Sequence, residues 1–182
     1  MSLGMHRSPR IHSSVYVDPT ARINGDVRIG ADSSVWFHVS IRGDLLPIRV
    51  GSGTSVQDRC VLHTTAPDHA CSIGDHVVLG HGAILHGCTV FGPALIGMGA
   101  ILLDGCVIER DCVVAAGSVV PPGRRIERGH LALGSPAKTV RPLSRAEIRG
   151  LRVQWKGYLR TLREYRKANR FRTWREHPLR EG

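Results

Sequence analysis

An aliphatic residue returns every six positions along most of this chain, and that period restricts the fold more than any other feature. It runs through Ile11, Val17, Ile23, Ile29, Val35 and Ile41, and resumes at Val50, Val56 and Leu62, then at Ile73, Leu79 and Leu85. After a one-residue slip it continues through Val90, Ile96, Leu102, Ile108, Val114, Val120 and Ile126. Four residues after many of these stands a small or β-branched side chain, among them Val15, Ala21, Thr54, Cys60, Ala83, Ala100, Cys106, Cys112 and Ser118. A period of six belongs neither to an α-helix nor to an ordinary half-buried strand. It predicts short strands joined by tight turns, three to a coil, stacked as a parallel β-helix. The frame residue and the residue four later then point inward, and the residue just after the frame points out.

Composition agrees with a core filled by small and aliphatic groups, since the 21 glycines outnumber all Phe, Trp and Tyr together. Cys60, Cys106 and Cys112 fall in the inward small-residue slot, where inert packing is the default role. The five cysteines are odd in number and never spaced C-x-x-C, which fits a reducing compartment. No apolar run approaches the roughly 18 residues of a transmembrane helix, and no signal-peptide apolar core is visible. A cytoplasmic protein with no membrane partner is therefore expected.

The repeat closes with Pro121-Pro122 and the stretch Gly134-Ser135-Pro136-Ala137-Lys138. Ser144-Arg145-Ala146-Glu147 then forms a capping box. Ile148, Leu151, Trp155, Tyr158, Leu159, Leu162 and Tyr165 follow at helical spacing. The division is a β-helix domain over 11–143, an amphipathic helix over 144–169 packed on the outside of the prism, and a basic tail over 170–182. Residues 141–182 hold thirteen Lys/Arg against four Asp/Glu, which accounts for most of the net charge of +10. Without a nucleic-acid motif or interleaved aromatics, this surplus is assigned to a solvated helix face rather than to nucleic acid.

The frame is interrupted by three extra residues between Ile41 and Val50, and by five between Leu62 and Ile73. Counted by faces rather than residues, Ile41, Leu62, Leu85 and Leu102 open strands on one face, called the first. Val56, Leu79 and Ile96 open strands on the third. The outward neighbours on the first face are Arg42, His63 and His86 on successive coils. Coils stack ~4.8 Å apart, so His63 and His86 can reach one metal ion whose bonds to nitrogen are ~2.0–2.1 Å long. Asp58 and His81 lie two past the frame on the third face, out of reach of that pair within one chain. If the first face of one prism met the third face of the next, His81 would arrive from the neighbour. Closing such a heterologous contact around a three-sided prism predicts a homotrimer with three metal sites.

These motifs resemble the γ-class carbonic anhydrases. The matching stretches are Ile41-Arg42-Gly43-Asp44, Val56-Gln57-Asp58, Val61-Leu62-His63, Gly80-His81 and Leu85-His86-Gly87, followed by Ile96-Gly97-Met98-Gly99 and Leu102-Leu103-Asp104-Gly105. The resemblance implies an all-β solenoid of left-handed hand, against the usual right-handed crossover rule, with a C-terminal α-helix. It implies Zn2+ (with Fe2+ or Co2+ possible) on His63, His81 and His86, and hydration of carbon dioxide to bicarbonate by a metal-bound hydroxide. By the same resemblance Gln57 orients the water, Arg42 stands near the bicarbonate site, and Asp44 and Asp58 pair with Arg42, partly across the interface.

Three positions depart from the family. Leu45 stands where the archetype carries a glutamate after its R-x-D stretch. The acidic loop shrinks to 64–72, leaving Asp68 and His69 as the candidates for proton exit. Ala132 stands where many relatives have a tyrosine. Two other functions fit the scaffold: an acyl-CoA thioesterase or acyltransferase, and a non-catalytic assembly subunit stabilised by its metal.

Overall fold

The computed structural model describes residues 7–167; the basic tail expected over 170–182 lies outside them. It is a left-handed parallel β-helix of about seven turns with one C-terminal helix. Most strands are two or three residues long, centred on the frame positions. The first face stacks Ile23, Ile41, Leu62, Leu85, Leu102 and Val120, and the second stacks Ile29, Val50, Ile73, Val90, Ile108 and Ile126. The third stacks Val17, Val35, Val56, Leu79, Ile96 and Val114. All of these side chains are buried, with the small residues of the +4 slot between them. Cys71 and Cys88 are buried in that slot as well as Cys60, Cys106 and Cys112, and all five thiols are free. Burial pushes the Cys60 thiol up to about 12, which suits packing rather than reactivity.

Most turns place one residue in the left-handed backbone region, three positions after the frame. Gly82 (φ 70°) and Gly99 (φ 65°) occupy it without steric cost. Asp32, His38, Arg59, His76 and Asp111 adopt the same conformation at φ 57–60°. All three irregularities of the repeat fall at one corner, between the first and second faces. Residues 44–47 stand opposite the single residue Asp26, a net excess of three, and bulge out of the strand Ser40–Val50 at a register shift between Gly25 and Val27. Residues 64–70 form a loop closed by paired backbone hydrogen bonds of Thr65 and His69, at 3.1 and 2.9 Å. On the next coil the chain is one residue short between Leu85 and Val90.

Helix α1 (Arg145–Lys167) begins at the expected capping box. The Ser144 amide donates to Glu147 Oε2 at 2.7 Å, and the Glu147 amide donates to Ser144 Oγ at 3.2 Å. Hydrogen bonds from Arg141 and then from Ser144 pull the Glu147 carboxyl below the usual carboxylate range, down to about 2. The helix runs back along the third face. Near its start Arg152 and Arg128 grip Asp111, which is 2% exposed. Farther on Trp155 stacks on His76 with ring centroids 4.1 Å apart. Near its end Leu162, Leu159 and Tyr165 pack on Tyr16, Trp36 and Phe37 of the early coils. This corrects one expectation: the third face cannot meet a neighbour directly, because α1 covers it. What remains bare is the corner between the third and first faces, carrying Asp58, His81 and Met98. Among the described residues no helix is long and apolar enough to cross a membrane.

Two measurements check this packing. Leu102→Ala should lower the unfolding free energy by about 2–5 kcal/mol in chemical denaturation, whereas outward Val107→Ala should cost under about 1 kcal/mol. Burial opposes ionisation of Asp111, but hydrogen bonds from Arg152 and Arg128 outweigh it and hold the carboxyl below its usual range. A folded pKa below the unfolded one contributes stability that is complete above the unfolded value of 3.8 and lost as pH falls through the folded one. The stability of the native chain should therefore decline more steeply below that value than that of Asp111→Asn.

Candidate metal centre

The rungs of the first face deliver the histidines. Strand Val61–His63 pairs with Ile84–His86 so that His63 lies directly opposite His86. Both side chains point out at the corner where the repeat is irregular. Their rings are tilted 57° to one another, with His63 Nδ1 3.1 Å from His86 Nε2. Two nitrogens on one tetrahedral zinc, at bond lengths of ~2.0–2.1 Å, stand about 3.3–3.4 Å apart. The pair is thus spaced as two ligands of a single ion.

The far nitrogens are held by acids. His63 Nε2 lies 3.2 Å from Asp44 Oδ1, and His86 Nδ1 lies 2.8 Å from Asp104 Oδ1 and 3.3 Å from Thr65 Oγ1. Burial raises the cost of ionising Asp44, yet hydrogen bonds from Arg42 and His63 prevail and hold its carboxyl below the usual range. Asp104 behaves alike, with His86 and Thr65 outweighing burial. A carboxylate on the distal nitrogen fixes the tautomer and aims the free lone pair, the arrangement metal-ligating imidazoles adopt. Arg42 projects beside them, half exposed, with its guanidinium paired to Asp44.

His81 sits on the bare corner with its side chain 56% exposed. Its Nδ1 lies 3.0 Å from Asp58 Oδ2, leaving Nε2 directed away. Gln57, 5% exposed, shares with His81 a 360 Å³ pocket between the third face and α1, whose walls include Gly80, Leu95, Gln154 and Tyr158. The seven candidate residues therefore fall into two groups: Arg42, Asp44, His63 and His86 on one side, Gln57, Asp58 and His81 on the other. Asp58 pairs with His81 and not with Arg42 in this chain. Among the described residues of one chain, no three His, Cys, Asp or Glu side chains converge as a metal site. Beside the histidine pair runs an outward apolar rung series, Val61, Ile84, Ile101 and Val119. Val61 and Ile84 are more than a third exposed, and Met98 on the corner is 59% exposed.

Asp104 and Thr65 were not singled out from the sequence. Asp104 was within reach of the face count, since it stands two past Leu102, one coil beyond His86. Thr65 was not, because it depends on how the loop 64–70 folds back. Gly87 permits that closure: a Cβ there would lie 2.3 Å from Asp104 Oδ1 and 2.6 Å from His69 Cβ. His69 rests half-buried against Gly87 and Gly105, whereas Asp68 is exposed.

No family model matches the chain. It is 41% identical over 158 residues to γ carbonic anhydrase 2, mitochondrial, of Arabidopsis thaliana, covering 84% of this chain and 57% of that protein. It is 43% identical over 163 residues to protein YrdA of Escherichia coli, covering 86% of this chain and 89% of the relative. Among solved structures it is similar to a hexapeptide transferase family protein from Anaplasma phagocytophilum, with a TM-score of 0.83 and 39% identity over 86% of this chain and 92% of that one. The chain spans just over half the length of the plant relatives it matches.

If Asp104 orients His86 for a metal, Asp104→Asn should weaken zinc binding by about 10–100-fold. Competition with a chromophoric chelator measures it, and unchanged affinity would remove Asp104 from the site.

Proposed function

This chain belongs to the γ-class carbonic anhydrase-like family of hexapeptide-repeat proteins, and on that footing we propose that it hydrates carbon dioxide reversibly to bicarbonate at a three-histidine metal site shared between neighbouring copies of a homotrimer. The observation that carries this is the 3.1 Å approach of His63 Nδ1 to His86 Nε2, each ring backed by its own carboxylate. His81, also backed by a carboxylate and turned outward, is the third ligand, supplied by the adjacent copy. The donor set is three imidazoles, which suits Zn2+ and also admits Fe2+ or Co2+. Bound there, zinc would lower the pKa of a coordinated water to about 7 and so supply a nucleophile at neutral pH.

The chain's own groups do the rest. Asp44, Asp58 and Asp104 hold the three imidazoles in the tautomer that keeps the ligating nitrogen unprotonated. Arg42, tethered by Asp44 beside His63, offers a fixed positive charge to the bicarbonate anion. The Gln57 carboxamide, in the His81 pocket, orients water and substrate by hydrogen bonding. The apolar rungs Val61, Ile84 and Ile101 support a subunit contact next to the histidines, since exposed apolar patches mark association surfaces. Five free buried thiols support a reducing compartment, for which the cytoplasm is the proposal.

A second function, an acyl-CoA thioesterase or acyltransferase, draws on the transferase-family neighbour and on the largely apolar 360 Å³ pocket beside His81, larger than carbon dioxide requires.

Metal analysis of the purified protein should give about one ion per chain; a protein that never retains metal sinks the proposal. Stopped-flow hydration under zinc, and under anaerobic iron(II), should show turnover that Gln57→Ala lowers tenfold or more, about 1.4 kcal/mol. A metal-loaded trimer inert toward carbon dioxide but active on a coenzyme A thioester panel would establish the second function instead, and inertness on both would leave an assembly subunit. His81→Ala should lose metal and weaken the trimer together. A monomer that still binds zinc through three histidines would refute the shared site.

A further inference from the structure

The second face carries an unusual column of charge. Arg10 pairs in register with Arg28, and Arg28 with Arg49, so three guanidinium groups leave the same side of three successive rungs. Rungs are ~4.8 Å apart, and like charges directly opposite one another destabilise a sheet. One acid answers them. Asp26, 8% exposed, bonds Arg49 at 2.8 Å and Arg7 at 2.6 Å. Its carboxyl is held below the usual range, first by the Arg49 bond. Arg10 and Arg28 have no acidic partner among the described residues. All three arginines line a single open groove of 710 Å³, together with Pro9, His12 and Gly30. The column continues with hydroxyl donors, Ser72 and then Thr89. Helix α1 covers the third face and the histidine pair lies on the first, so this face is left open.

We infer that the Arg10–Arg28–Arg49 column is a binding strip for a linear chain of phosphates. Guanidinium forks match phosphate oxygens two at a time. A lone phosphate can bridge two rungs at most, whereas a triphosphate chain serves all three. An acidic peptide in extended form offers same-side carboxylates only every ~6.6–6.8 Å, out of step with the rungs. The strip rests on strand register and charge alone and stands whether or not the metal centre turns over carbon dioxide. Two sources share the chemistry, free polyphosphate and a nucleoside triphosphate.

Calorimetric titration of the full chain with tripolyphosphate, ATP and orthophosphate at low ionic strength tests it. Tripolyphosphate and ATP should bind at least about tenfold more tightly than orthophosphate, with affinity falling as salt is added. Removing the middle rung with Arg28→Gln should weaken both about tenfold or more, while Arg124→Gln, which removes an exposed arginine elsewhere, should change affinity less than about twofold. The tighter of the two ligands identifies the source. Orthophosphate binding as tightly as tripolyphosphate would overturn the strip. So would equal losses in the two variants, or heat that persists unchanged in Arg28→Gln, as withdrawal of a bound metal ion by tripolyphosphate would produce.

Discussion

Coil-to-coil register is the constraint on which everything else in this molecule depends. A parallel rung of backbone hydrogen bonds fixes each residue above its counterpart one coil earlier, ~4.8 Å away. Inside the prism the rule stacks one aliphatic residue on another and makes the core. Outside, it multiplies whatever chemistry a position carries. On the first face it sets His63 on His86; on the second it sets arginine on arginine. A stacked pair of ligands and a stacked column of like charge are products of the same geometry.

Because the rungs are so regular, much of the fold was legible in the sequence. The six-residue period located the strands, and counting faces across the interruptions put His63 and His86 together and His81 elsewhere. The capping box marked the start of the helix. What escaped was whatever the period does not govern. Thr65 reaches His86 only because the loop 64–70 folds back over Gly87. The docking of α1 follows from scattered contacts, Arg152 on Asp111 and Leu162 against Tyr16 and Trp36, and none has a spacing that announces it. Hence the burial of Gln57 beneath the helix, and the loss of the third face as a docking surface, could be learned only from the structure. Cys71 and Cys88 were missed for a smaller reason: Cys71 lies in the five-residue interruption and Cys88 in the one-residue slip, where counting four forward from the frame fails.

Electrostatics on the surface follows a recurring scheme. Each of the three candidate ligand histidines has one nitrogen on a carboxylate. Asp111 serves two arginines and fastens the helix, and Glu147 closes the helix start while pairing with Arg141. Other acids serve hydroxyls and backbone amides instead: Asp18 accepts from Tyr16 and Thr20, and Asp75 from the Ser52 amide. Among the described residues, the second face sets three arginines in register with one acid, Asp26, bonded to the last of them.

The corner between the first and second faces has a consequence of another kind. Three successive coils pass it with three extra residues, five extra and one fewer, yet the rungs on either side stay aligned. Length can therefore be edited there without disturbing the stack, much as beads can be added to a necklace beside its clasp. That corner borders the histidine pair. A lineage, or an engineer, could exchange these segments one at a time and reshape the surroundings of the metal centre while the scaffold beneath stays the same.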